Sequence, residues 1–262
     1  MEVLTSKFAF VIIFYMLIPF NEILFPLLIL LIAYIIFGIS GFGTALISAP
    51  LLAFYMPVAK IIPLLALLDF LAALLTFLHD RKDVCWQELK RLVPLMIIGS
   101  LIGVAILLYL HPEILLPILG FFVVGYSLYA LSGLKIARSF SKTASIPFGL
   151  IGGVFSALFG SGGFVYAIYL MGRLDDKTSF RVTQSLLIKC STLTRAFLFL
   201  LAGIYNRSFL LTALICLPSM IIGLYIGRHI TLTLSKEQFL RIVNCIILIS
   251  GISLLINYFI KF

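Results

Sequence analysis

Runs of roughly 20 predominantly apolar residues recur along the whole 262-residue chain. A helix needs about that length to cross the ~30 Å hydrocarbon core of a bilayer. Seven runs read as ordinary spans: Leu4–Phe20, Ile61–Leu78, Leu92–Leu110, Leu115–Gly133, Val182–Gly203, Phe209–Gly227 and Phe239–Ile260. A transmembrane β-barrel would instead show alternating segments of about 10 residues, and none occur. Only 11% of residues are charged, against about 25% in soluble domains. The expectation is an all-α polytopic membrane protein with about seven to nine membrane helices.

Two further apolar stretches do not fit the pattern. Ile23–Met56 is too long for one span and short for two, and Ile146–Met171 is interrupted by glycine in its middle. The first breaks at Gly41-Phe42-Gly43-Thr44 and the second at Gly160-Ser161-Gly162-Gly163, about 119 residues later (44 to 163). Each is followed by a short polar link and three spans. The chain therefore reads as a duplicated unit of roughly 110–120 residues, an arrangement common in transporters. The expected segments are an N-terminal helix over 1–22, a first repeat over 23–134, a basic cytoplasmic linker over 135–145 and a second repeat over 146–262.

Basic residues set the expected topology. They gather in His79–Arg91 (Arg81, Lys82, Lys90, Arg91), Leu134–Ser145 (Lys135, Arg138, Lys142), Gly172–Arg181 (Arg173, Lys177, Arg181) and Arg228–Gln238 (Arg228, Lys236). His111-Pro112-Glu113 and Tyr205–Ser208 are nearly free of charge. Basic loops belong on the cytoplasmic side. All four fall there only if Ile146–Met171 enters and leaves on one side, as a re-entrant hairpin bent at Gly160–Gly163. The same count puts the ends of Ile23–Met56 on the opposite side and makes the repeats inverted. Two long or double crossings, giving parallel repeats, are the alternative. The net charge of +9 is this loop bias, so no nucleic-acid partner is expected.

Broken backbone at membrane depth survives only where it is buried in protein or lines a wet cavity. A helix restarting after such a break offers free N–H groups and a positive dipole end to an anion. Ser40, Gly41, Gly43 and Thr44 form one candidate set, and Gly160, Ser161, Gly162 and Gly163 the other. Close helix packing through small residues is the structural alternative.

The span after the second break is amphipathic. At 100° per residue, Arg181, Gln184, Ser185, Lys189, Ser191, Thr192 and Arg195 fall within an arc of about 160°. Ser185, Lys189, Thr192 and Arg195 join the candidate binding set. A cation near a helix centre costs about 2.5–3.5 kcal/mol on the insertion scale, so Lys189 and Arg195 need a partner or a function. Asp69, in mid-span, is the expected partner of one of them. Asp69 and Arg181 are candidates for ion pairing or for handling a coupling proton or cation. The planar fork of arginine suits sulfonate, sulfate-like or carboxylate oxygens.

Other chemistries are poorly served. The cysteines Cys85, Cys190, Cys216 and Cys245 form no CxxC pair, so no metal is expected. His79, His111 and His229 sit near span ends. No nucleotide-binding motif is present, and no cofactor is expected. An intramembrane hydrolase built on Ser161 would have Lys189 alone as its base, since no histidine lies in mid-span. A transporter or, alternatively, an anion channel remains.

The glycine runs Gly38-Ile-Ser40-Gly41-Phe42-Gly43 through Pro50-Leu51-Leu52 and Gly149 through Gly163, with Lys177-Thr-Ser-Phe-Arg181-Val-Thr183, resemble the TauE/SafE family of sulfite and organosulfonate permeases. The likeness covers about residues 24–260. The first run is less glycine-dense than is usual there, since Thr44 and Ala45 follow Gly43. The resemblance implies a plasma-membrane transporter, built by duplication of a four-helix element, that moves small sulfur-containing anions such as sulfite or a sulfonate and often exports them.

Overall fold

The computed structural model describes residues 20–40, 43–75, 84–132, 140–230 and 236–261. Among them the chain is helical throughout. Its α-helices are α1 Phe20–Ser40, α2 Thr44–Leu52, α3 Val58–Leu75, α4 Trp86–Tyr109, α5 Pro112–Leu131, α6 Ser145–Phe159, α7 Gly163–Met171, α8 Lys177–Leu201, α9 Arg207–His229 and α10 Lys236–Lys261. A single 3₁₀ turn, Lys142–Ala144, leads into α6. Seven segments are long and apolar enough to cross a membrane, one of them this turn together with α6. The expected N-terminal span Leu4–Phe20, apart from its last residue, lies outside the described residues, as do Gly41, Phe42, His79, Arg81, Lys82, Lys135 and Arg138.

Local chemistry sets several boundaries. Asp176 starts α8 by accepting the Ser179 amide at 2.7 Å, and Asn206 starts α9 by accepting the Phe209 amide at 2.9 Å. Proline at the first position opens α5 without losing a hydrogen bond.

The chain breaks where the two glycine-rich stretches predicted it. Gly43 (φ +94°) and Gly160 (φ +66°) are both left-handed, a conformation that glycine adopts without strain. Each break is followed by a nine-residue helix, α2 or α7. At 1.5 Å per residue such a helix is about 13.5 Å long, under half the thickness of a bilayer core.

Both short helices turn back along the helix before them. The Tyr166 ring lies over Gly152, Tyr169 faces Phe148 with ring centroids 5.8 Å apart, and the Phe140 amide donates to the Gly172 carbonyl at 3.2 Å. The chain therefore leaves α7 beside the point where it approached α6. At the other break Phe25, early in α1, stacks on Tyr55, just past α2, at 6.3 Å.

Close packing holds these pairs in the bundle. Gly99 and Gly103 on α4 press against Leu150, Gly153, Val154 and Ala157 on α6. Gly223 and Gly227 on α9 press in the same way against Leu31, Tyr34, Ile35 and Gly38 on α1. The partners on α1 and α6 correspond at an offset of 119 residues (31 to 150, 35 to 154, 38 to 157), and the glycines at 124 (99 to 223, 103 to 227). α5 and α10 meet through Gly120 and Gly251. Nearly all of α2 is buried, so it forms the centre of the bundle.

Candidate functional site

The two breaks touch. A Cβ added at Gly160 would lie 2.5 Å from the Ala45 Cβ and 2.6 Å from Arg195 Nη1. Three groups from three other elements converge on Asp69 of α3. Tyr34 of α1 donates its hydroxyl to Oδ1 at 2.9 Å, and Thr44, the first residue of α2, donates to the same oxygen at 2.8 Å. Arg195 of α8 donates from Nη2 to Oδ2 at 3.1 Å. Its Nη1 donates to the Ser156 carbonyl at 3.0 Å, in the last turn of α6. The Arg195–Asp69 pair thus ties the start of α2 to the end of α6.

Further polar groups lie around this pair. Ser156 and Ser191 share a hydrogen bond of 2.6 Å. Arg195 Nε and the Ser161 hydroxyl are buried and have no hydrogen-bond partner among the described residues, and the buried Tyr166 hydroxyl stands next to Ser191. Ser161 belongs to the second break and Tyr166 to the first turns of α7, while Arg195 packs on Gly160. The amides of Gly163 and Phe164, at the start of α7, also have no acceptor among the described residues. None of Tyr34, Thr44, Asp69, Ser156, Ser161, Tyr166, Ser191 and Arg195 is more than 6% exposed.

An orphaned buried donor costs about 1–3 kcal/mol. Two at the second break, one of them on a guanidinium, make a donor-rich site that includes a cation. Such a site can bind an anion. A hydrolytic role for Ser161 gains no support, because neither described histidine, His111 nor His229, is buried. No cluster of metal-binding side chains occurs among the described residues.

The predicted residues divide into three groups. Thr44, Asp69, Gly160, Ser161, Thr192 and Arg195 lie in or against the buried centre. Gly162 and Gly163 hold α7 in place: Gly162 sits against Gly152 and Ser156, and Gly163 accepts from Gln184 at 3.4 Å. Gly43 supplies the turn before Thr44. Ser40 ends α1, and Gly41 lies outside the described residues.

Arg181 and Ser185 are exposed, and Lys189 is half-buried. Lys189 precedes Arg195 by six residues, about 9 Å along the helix axis. Of the two cations, Arg195 is the one 3.1 Å from Asp69. The α8 face that holds Thr192, Arg195, Ala196 and Phe199 in the interior is open at Arg181 and Ser185. One polar stripe runs from the exposed basic end of α8 down to the buried guanidinium.

Tyr34, Ser156, Tyr166 and Glu88 were not among the predicted site residues. The first two complete the centre, and an available signal was that Tyr34 and Tyr166 sit inside apolar runs and not at their ends. Glu88, 3% exposed, forms a second cluster near the start of α4. It accepts from Tyr169 at 2.6 Å, Arg91 at 2.7 Å and Arg173 at 2.9 and 3.2 Å. Arg173 also donates to the Phe140 carbonyl at 3.3 Å. This cluster fastens the far end of α7, and the turn after it, to α4.

No curated protein and no solved structure matches the chain. A family model does match, that of the sulfite exporter TauE/SafE, over residues 26–254. With the match covering most of its length, the chain belongs to the sulfite exporter TauE/SafE family and is a membrane transporter of that family.

Proposed function

We propose that the chain is a secondary permease for a small sulfur-containing anion, sulfite or an organosulfonate, acting in the plasma membrane by alternating access. The observation that carries this reading is the buried Arg195 guanidinium with its open Nε donor, packed on Gly160 of the second break, where the next residue, Ser161, has an open hydroxyl. A guanidinium donor next to a hydroxyl suits a head group with several oxygens around sulfur. Charge-assisted bonds from arginine to such oxygens are roughly twice as strong as neutral ones. The helix start contributes amides and a favourable dipole.

In this reading Arg195, and not Lys189, is the counter-charge of the bound anion. Lys189, Ser185 and Arg181 mark the approach from the basic side. The closed centre supports a carrier over a channel. The reciprocal glycine seams support two related units, 23–134 and 146–262. We read these as inverted repeats, each with a re-entrant hairpin, α1–α2 or α6–α7. The site would then open alternately to each side as one unit rocks against the other.

The test is tracer flux in proteoliposomes, with sulfite, sulfoacetate, thiosulfate, taurine, sulfate and acetate compared. The wild type should move at least one sulfur anion, saturably. R195Q, folded as judged by a single symmetric gel-filtration peak, should lose that flux, and S161A should weaken apparent affinity. Equal flux by R195Q and the wild type would remove the site assignment. Flux at the level of empty vesicles for the whole panel would remove the functional reading.

A further inference from the structure

We infer that Asp69 takes up a proton whenever an anion binds, so that anion and proton cross together. This deepens the anion site proposed at Arg195 and rests on it.

The argument begins with the charges. Asp69 is acted on by Tyr34 from α1, Thr44 from α2 and Arg195 from α8. Cys216 of α9 and Tyr205, just past α8, stand further out, beside Tyr34 and Arg195. α5 and α6 also pack on α3. α6 has no charged residue, and α5 has only Glu113, in its first turn. On α8, Lys189 is half-buried and senses Arg228 of α9, and the closed centre itself pairs one cation with one anion, with no net charge. Adding an anion would leave one uncompensated negative charge at membrane depth, where unpaired charge is strongly penalised. One proton on Asp69 restores neutrality: the guanidinium then balances the anion, and the carboxylic acid balances nothing.

The hydrogen bonds are arranged for this exchange. Tyr34 and Thr44 both bond Oδ1, while Oδ2 holds only Arg195. A proton arriving on Oδ2 displaces Nη2 and leaves the other two bonds in place, so the acid stays where it is. The displaced Nη2–H and the unpartnered Nε–H lie on one edge of the guanidinium and point the same way. Together they form the two-pronged edge that binds an oxyanion bidentately. Nη1 remains on Ser156 throughout. While Asp69 is ionised, Nη2 is held by the carboxylate; once Asp69 is protonated, Nη2 is free to turn to the anion beside Nε. The proton comes from water on the side where the anion binds and returns to water on the side where it leaves. The covalent change is proton transfer alone: an O–H bond of hydronium breaks as the carboxyl O–H forms on the binding side, and the reverse occurs on the release side.

The experiment uses wild-type protein and D69N in proteoliposomes with a trapped pH dye and radiolabelled methanesulfonate, which carries one charge. The wild type should move one proton per methanesulfonate, at a rate unchanged by a potassium diffusion potential. D69N keeps the carbonyl that accepts from Tyr34 and Thr44 but cannot exchange a proton. It should retain methanesulfonate-for-methanesulfonate exchange, with gradient-driven net flux falling by at least about fivefold, the lower end of the range for coupled sites.

Methanesulfonate flux by the wild type without proton movement would overturn the coupling and leave the anion site standing, whatever D69N does. Proton-linked net flux by D69N would overturn it as well. So would a folded D69N that still binds methanesulfonate in a thermal-shift assay yet performs no exchange. If the wild type moves an anion of the panel above but not methanesulfonate, the same proton count on that anion decides the coupling; if it moves none of them, the anion site itself fails, and the coupling with it.

Discussion

Replacing Gly153 with alanine tests whether close packing of α4 on α6 holds the buried centre together. A methyl group there would lie 2.3 Å from the Met96 carbonyl oxygen and 2.8 Å from the Ser100 nitrogen. Ordinary contact starts at 3.4 Å. Both obstacles are backbone, so no side-chain rotation relieves them, and the helices must separate by about 1 Å. Overpacking of this kind costs about 1–3 kcal/mol. Alanine also gains up to about 1 kcal/mol in helix propensity, which leaves a net loss of roughly 1–2 kcal/mol. G125A is the control, because nothing lies within 4 Å of a Cβ there, and it should be neutral or stabilising. G227A is the reciprocal test, since its methyl would lie 2.2 Å from the Ile35 carbonyl oxygen, and it should lose about as much as G153A. Reversible unfolding in mixed micelles would rank the variants. Separating α4 from α6 also shifts Ser156 and Gly160, which seat Arg195, so G153A should lower anion flux more than G125A. A G153A protein as stable as G125A would refute the argument.

The other two predictions concern the region around α7. E88Q removes the charge that gathers Arg91, Arg173 and Tyr169. Breaking a buried ion pair costs about 3–5 kcal/mol, but both arginines are part-exposed (31% and 23%) and regain water. A loss of about 2 kcal/mol is expected for E88Q and about 1 kcal/mol for Y169F, and the double variant should lose less than their sum because the two share a bond. Unfolding midpoints of the three variants check this, and strict additivity would refute it. Asp176, outside the spans, is held below the ordinary aspartate value of 3.8 by hydrogen bonds from the Ser179 amide. The sign follows from linkage: its contribution is complete above the unfolded value and is lost as pH falls through the lower folded one. D176N, which keeps the cap but cannot titrate, should therefore lose less stability than the wild type across that acid window, and an equal slope in both proteins would exclude the assignment.

Much of this architecture was legible in the chain because the decisive signals are local. Two glycine-rich breaks inside apolar runs forced discontinuous helices, and both occur at the expected residues. Arg195 and Asp69 stood out because a charge inside a span needs compensation. Helix starts were less legible. α4 begins at Trp86 and not at Leu92, because its first turns, Trp86-Gln-Glu-Leu-Lys-Arg91, are too polar for a hydropathy reading. Partner choice was not legible either. A helical wheel gives azimuth but not depth, so Arg181 and Ser185 shared an arc with Arg195 although only Arg195 is inside. Tyr34 and Ser156 reach the site across 35 and 39 residues of chain, to Asp69 and Arg195 respectively. No spacing rule connects them. Glu88 carries no local signal, because its burial depends on Tyr169 and Arg173 returning from α7.

The Arg195–Asp69 pair is not explained by stability alone. A buried ion pair seldom outperforms well-packed apolar side chains of the same volume, and every neighbouring span is rich in leucine and isoleucine that could supply them. Its position is more informative than its energy. It joins the first residue of one broken element to the last turn of the other, and each of its ends keeps a second bond, Thr44 and Tyr34 on the carboxylate and Ser156 on the guanidinium. Opening the pair therefore strands neither residue, and one new ligand on each side, a proton and an oxyanion, restores the lost bond without net charge. An apolar contact at the same place would hold the two breaks together equally well but would give a solute no means of parting them. A fixed scaffold has no use for that property, whereas a carrier needs it once in every cycle.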